Sequence, residues 1–393
     1  MQISQKILPS PNHFDPIGYQ KENKTGLKGN LGKPLHLTLF LMDGKAIILS
    51  GGLFDSMNAK TAHGLVRGTD RYEIVGVIDE PLAGKDAGEV LEGKHSGTPI
   101  FESVESFLAA HPGGADYAIL GIATGGGKLP RHMFPEMKTC IQAGISLVSG
   151  LHEFLSNEEE LSSLAEKHNV SLIDVRKPKP RGDLHFWSGK IMEVKCPKIA
   201  VMGADCGIGK RTTARFLVEK LREEGINAQM IYTGQTGWLQ GGVYGFIFDS
   251  TLNDFVSGEL EHAIHSCYVN EKPDVIIVEG QAALRNPSGP CGSEFLVSGQ
   301  MNGVILQYAP ARKFYKGWES TGIPMPSPES EIALIKAYGV PTLGMSLNTK
   351  GLKTEEAKEH QETFTSQLGL PVVLPVEEGV EGLLPSIKSL ITS

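Results

Sequence analysis

The sequence has no Cys-x-x-Cys pair, and its five cysteines, Cys140, Cys196, Cys206, Cys267 and Cys291, are odd in number. That excludes a regular disulfide framework and a zinc site of the usual spacing, and it fits a reduced compartment. No long Lys/Arg run occurs and the formal charge is −8. A broad nucleic-acid or anionic-membrane face is therefore not expected. Met1 to Pro34 is polar and lacks the apolar segment of a signal peptide. Leu35 to Met42, the most apolar early run, is too short to span a bilayer. No repeat of solenoid period is present. These absences lead us to expect a cytoplasmic protein with a small-molecule substrate, no nucleic-acid partner and no membrane contact.

What is present is glycine and alternation. The 393 residues include 47 Gly and 23 Pro, enough chain for two or three domains. Short β-branched runs alternate with helical patterns. Ala46 to Ser50, Tyr72 to Ile78, Tyr117 to Leu120 and Ile145 to Val148 read as strands. Ala59 to Arg67, Ser103 to Ala110 and Pro135 to Gly144 read as helices between them. Such alternation predicts parallel sheets covered by helices. Arg176 to Asp183 then interrupts the pattern with prolines, glycine and charge. The expected organisation is a leader over 1–45, a first α/β domain over 46–176, a linker over 177–197 and a second α/β domain over 198–393. The fold class is α/β: two three-layer αβα domains with mainly parallel sheets, Rossmann-like followed by P-loop NTPase-like.

The clearest chemistry lies at the start of the second domain. A buried strand, Lys198 to Met202, runs into Gly203-Ala-Asp205-Cys206-Gly207-Ile208-Gly209-Lys210-Arg211-Thr212-Thr213, and an amphipathic helix follows. Glycines let backbone amides turn inward, a helix N-terminus offers unpaired N–H groups, and Lys adds a point charge. The loop departs from the standard pattern. Five residues, not four, separate Gly203 from Gly209, and Arg211 stands where a Ser or Thr normally holds magnesium. Thr212, one residue later, is the nearest hydroxyl for a metal. The alternative is an ordinary glycine-rich turn carrying a surface Lys.

Other strand ends supply candidates on the same rim. Asp274 to Val278 ends in Glu279-Gly280-Gln281, placing a carboxylate where it could hold magnesium or act as a base. Thr233, Gln235, Thr236, Gln281 and Arg312 are candidate substrate contacts, and Asn348 could read an adenine edge. Asp254 and His152 are further candidates for catalysis; a helix-start carboxylate and a hydrogen-bonded structural His are the plainer readings. Lys60, in the first helix, reads as exposed. The first domain lacks G-x-G-x-x-G, so a dehydrogenase reading has little support.

The loop and the Glu279-Gly280 strand end resemble dethiobiotin synthetase and its P-loop relatives. That resemblance implies phosphate binding by Lys210 and magnesium binding by Glu279, with ATP as ligand. A fuller resemblance covers most of the chain beyond about residue 45. Lys60-Thr-Ala-His-Gly64, Ala83-Gly-Lys-Asp-Ala-Gly88, Val148-Ser-Gly-Leu-His-Glu-Phe154, Asp254-Phe255 and Val278-Glu-Gly-Gln281 look like the family called domain of unknown function 1611. The resemblance implies a Rossmann-like domain followed by a P-loop domain. It also implies an acetyl-CoA-dependent N-acetyltransferase acting on a D-amino acid such as D-glutamate. Gly97 to Phe101 and the two strands after it are similar to the CoA-binding domain of succinyl-CoA synthetase. Three readings stay open: the acetyltransferase, an ATP/Mg-dependent ligase or kinase-like enzyme, and a non-catalytic nucleotide-responsive protein. The cofactor is expected to be acetyl-CoA or ATP, with magnesium as a further candidate, and the assembly a homo-oligomer.

Overall fold

The computed structural model describes residues 43–392. The expected leader thus lies outside the described residues, apart from its last three positions. Two parallel sheets follow one another along the chain. The first contains β1 (Gly44–Leu49), β2 (Tyr72–Ile78), β3 (Ile100–Phe101), β4 (Tyr117–Leu120), β5 (Ser146–Ser149) and β6 (Leu172–Asp174), in the order β3-β2-β1-β4-β5-β6. This is the strand order of a doubly wound dinucleotide fold. The second contains β7 (Lys198–Gly203), β8 (Ala228–Tyr232), β9 (Tyr244–Gly245), β10 (Val275–Glu279), β11 (Gly303–Tyr308), β12 (Thr342–Leu347) and β13 (Val372–Val373). Its order is β13-β12-β11-β7-β10-β8-β9.

The continuous apolar runs are explained by burial on both faces. In β7, Ile199 and Val201 enter one core while Ala200 and Met202 enter the other. Val275 and Ile277 of β10 likewise face opposite Ile276 and Val278. β1 repeats the device, with Ile47 and Leu49 against Ala46 and Ile48. Register then fixes the site. Glu279 pairs with Val201, and Gln307 pairs with Gly203. The carboxyl end of β7 is thereby flanked by Glu279 on one side and Gln307 on the other.

Both sheets belong to one compact unit, and specific contacts join them. Thr69 Oγ1 donates to Leu239 O at 2.9 Å, and Asp70 N donates to Gln240 O at 3.0 Å. The Arg71 guanidinium lies 4.2 Å from the Trp238 ring centroid and donates to Trp238 O. Gln240 Nε2 donates to Gly64 O at 2.6 Å and Gly68 O at 2.9 Å.

The charged segment after β6 is pinned by two buried glutamates on the Asn253–Glu271 helix. Glu259 accepts from Lys179 Nζ and His185 N, and Glu261 accepts from Ser188 N and Ile191 N. Gly258, just before them, lets this segment approach: a Cβ there would lie 1.9 Å from His185 O. Among the described residues, no helix is long and apolar enough to cross a membrane. We predict that Gly258→Ala costs about 1–3 kcal/mol of stability, because the backbone facing it must move. Urea unfolding measures it, and an unchanged midpoint contradicts this packing.

Candidate functional site

The loop after β7 is shaped by one carboxylate. Asp205 is fully buried. Its Oδ1 accepts from Cys206 N at 2.7 Å and Asn286 Nδ2 at 3.0 Å. Its Oδ2 accepts from Arg312 Nη1 at 2.7 Å and Lys316 N at 2.9 Å. Arg312 also donates to Cys206 O and Gly207 O, and Asn348 Nδ2 donates to Ile208 O. Gly207 (φ 58°) and Gly209 (φ 104°) take the positive φ angles that this path requires. Gly203 is needed because a Cβ would lie 2.7 Å from Ile208 Cδ1.

Asp205 and Arg312, expected to touch ligand, and Asn348, expected to read a base, direct polar atoms to the loop itself. Thr213 is buried and bonded to Gln307 Oε1 at 2.6 Å and Ser346 Oγ at 3.1 Å. What remains open is the main chain. Among the described residues, the amides of Gly207, Ile208 and Gly209 donate to no protein acceptor, and no side chain caps Gly209 at the head of the Lys210–Glu223 helix. Such a helix start is an anion site.

Lys210 is buried and points back under the loop, donating to Asp205 O and Ala282 O at 2.7 Å each. Burial lowers its pKa to about 8 against the opposing pull of neighbouring Cys206, Cys291, Asp205 and Glu279. Lys316 Nζ lies over the loop, 3.5 Å from where a Gly207 Cβ would be. Lys60 is exposed, as its helical position suggests, and it also feels the charges of this cleft. It keeps exposed surface, yet surrounding protein lowers its pKa, and the positive charges of Lys316, Arg176 and Arg211 add to that. Its helix shows why. Gly64, one turn on along the same face, abuts Arg211, whose Nη2 would be 2.9 Å from a Cβ there. Among the described residues, neither Lys60 nor Lys316 has a carboxylate partner.

Glu279 is buried beside the loop. Its Oε2 accepts a 3.3 Å bond from Thr233 N, and its Oε1 lies 3.9 Å from Arg211 Nε. Burial raises its pKa above the ordinary glutamate value, while Arg211, Thr233 and Lys210 oppose the rise. Thr233 Oγ1 donates to Glu279 O and accepts from Gln281 Nε2. Gln235 and Thr236, expected as substrate contacts, are buried against Gly150 and Gly64 of the first domain.

His152 and Asp254 part company. The His152 ring is exposed and sits 3.9 Å from Asp249 Oδ2, which also pairs with Arg176 Nη2 at 3.0 Å. Partial burial lowers the His152 pKa, and Arg176 adds to this while Asp249 opposes it. Gly127 accommodates the ring; a Cβ there would be 2.3 Å from His152 Cδ2. Asp254 is exposed in the first turn of its helix, and no bond among the described residues ties it to His152, Glu279 or the loop. Asn286 and Lys316 carry no motif in the sequence; only folding brings them here.

The expected magnesium ligands do not fit a metal well. Thr212 is half-buried, Thr213 is consumed, and a guanidinium faces Glu279. Among the described residues, no group of three or more His, Cys, Asp or Glu side chains is placed to hold a metal ion.

A central parallel strand, glycine loop and lysine-headed helix, with an acid on the adjacent strand, define a P-loop domain, carried here behind a Rossmann-like domain. The chain belongs to the DUF1611 family: the family's P-loop domain matches residues 185–384 and its Rossmann-like domain residues 80–178. A D-glutamate N-acetyltransferase from a Pseudoalteromonas species is 31% identical over 279 residues, covering 70% of this chain and 82% of that protein. One from Tritonibacter scottomollicae is 29% identical over 286 residues, covering 72% and 84%. A DUF1611 family protein from Anabaena variabilis superposes with a TM-score of 0.79 at 28% identity, over 88% of this chain and 99% of that one.

An anion in the loop favours the Lys210 ammonium. Because burial lowers the Lys210 pKa to about 8, binding above that pH must take up a proton. Affinity for sulfate, an anion that does not itself titrate in this range, should therefore fall as pH rises through about 8, and calorimetry in buffers of different ionisation enthalpy should register proton uptake. Lys210→Met should abolish both; a pH-independent affinity in the parent protein contradicts the assignment.

Proposed function

We propose that the protein is an acetyl-CoA-dependent N-acetyltransferase acting on an acidic D-amino acid of the D-glutamate class. The observation that carries this reading is the pairing of uncommitted loop amides and Lys210 with buried Glu279 alongside. The names of the two relatives point to the same reaction. In this reading the amides of 207–209, with Lys210 and Lys316, hold the cofactor's phosphates. Lys60, which has no carboxylate partner among the described residues, receives a substrate carboxylate.

The field of these cations also serves the chemistry. The influences that lower the Lys60 pKa would lower that of a substrate ammonium placed near it, raising the fraction of neutral amine. Glu279, made more basic by burial, takes the amine proton as nitrogen attacks the thioester carbonyl. The C–N bond forms, the C–S bond breaks, and the departing thiolate receives the proton. An ATP-dependent ligase would share the loop and Glu279, but Arg211 replaces the hydroxyl such enzymes use for magnesium.

Purified protein given acetyl-CoA and D-glutamate should release free thiol, read with a chromogenic disulfide. No release above the rate without amine refutes the proposal. Glu279→Gln should lower kcat by about 100-fold or more with the fold intact, as expected for loss of a general base. The acidic limb of the parent's kcat/KM profile should lie above the ordinary glutamate range, because burial raises the Glu279 pKa. The rate is then lost as pH falls through that value.

A further inference from the structure

Arg211 is the residue that the phosphate loop should not contain. In magnesium-dependent P-loops, the hydroxyl after the Lys and an acid at a neighbouring strand end share a divalent cation. Here the first hydroxyl is gone. Thr213 is closed off by Gln307 and Ser346. Beside Glu279 lies the Arg211 guanidinium, its Nε 3.9 Å from Glu279 Oε1.

That guanidinium is held from its other end. Arg211 Nη1 donates to Gln240 Oε1, and the Gln240 amide nitrogen is spent on Gly64 O and Gly68 O of the first domain. Gly64 leaves the space, since any Cβ would meet Arg211 Nη2. The arrangement is a fixed positive charge, braced across two domains, beside the acid that would otherwise face a metal. A divalent ion brought to Glu279 would meet like charge.

We infer that the loop binds the diphosphate of its ligand without a divalent cation, Arg211 supplying the positive charge that magnesium supplies in related loops. The inference rests on the reading of the loop as an anion site and narrows its ligand. An organic diphosphate that needs no metal, as in CoA, fits; a nucleotide presented as its magnesium complex does not.

The test is calorimetric binding to the full chain, with CoA and with ATP as separate probes, each in EDTA and in excess magnesium chloride. CoA affinity should agree within about twofold between the two conditions, less than the loss of one charge-assisted contact would cause. Arg211→Thr, which restores Gly-Lys-Thr, should weaken CoA binding in EDTA by about tenfold, the scale of one such contact. Magnesium should then restore part of it. Arg211→Lys, which keeps the charge, should remain insensitive to magnesium and serves if the Thr variant does not fold. A parent protein that binds CoA or ATP only with magnesium overturns the inference. Metal-free binding of ATP without any CoA binding upholds it and refutes the acetyl-CoA reading. Binding of neither probe under either condition overturns both.

Discussion

The fully buried Asp205 carboxylate is the constraint on which the site depends. A charge removed from water is tolerated only when donors replace the water. Asp205 receives four of them, from Cys206, Asn286, Arg312 and Lys316. Meeting that demand draws two separate segments, around Asn286 and around Arg312 to Lys316, onto the loop. Lys210 then finds its acceptor at Asp205 O, and Asn348 closes on Ile208 O. Since side chains satisfy one another, the main-chain amides of Gly207, Ile208 and Gly209 are left without a protein acceptor among the described residues. The capacity for an anion follows from how the carboxylate is satisfied, not from an abundance of positive charge in the protein.

The same logic extends across the two domains. Lys60 follows β1, His152 follows β5 and Arg176 follows β6; Asp205, Thr233, Arg312 and Asn348 follow β7, β8, β11 and β12, and Glu279 ends β10. Each lies at or beyond a carboxyl strand end, where open parallel sheets place their ligands. Two interaction chains stitch these ends together, Arg211 with Gln240 and Gly64, and Arg176 with Asp249 and Gly150 O. The Rossmann-like domain thus brings charge to the P-loop domain's site without needing a dinucleotide fingerprint of its own.

Much of this was legible in the sequence, for a physical reason. Strands buried on both faces must be apolar throughout, so β1, β7, β10 and β11 stand out as runs. A backbone anion site needs glycines at fixed offsets, so Gly203, Gly207 and Gly209 mark the loop before any fold is known. The tasks of its polar residues were not legible. Asp205 and Arg312 are 107 residues apart in the chain. Nothing local says whether such an arginine clamps a ligand or braces a carboxylate. Lys60 reads as a surface residue and is one, but helical periodicity cannot reveal that the charges of Lys316, Arg176 and Arg211 act on it. Glu259 and Glu261 carry no sequence signal of their own, although both are buried as anchors for the linker.

The central claim, that loop amides cradle a phosphate group at the head of the Lys210–Glu223 helix, is tested most directly by a crystal structure of the protein with CoA bound. The account predicts the diphosphate within hydrogen-bonding distance of the amides of Gly207, Ile208 and Gly209 and of the Lys210 ammonium. CoA seated elsewhere, with those amides still lacking an acceptor, would contradict it.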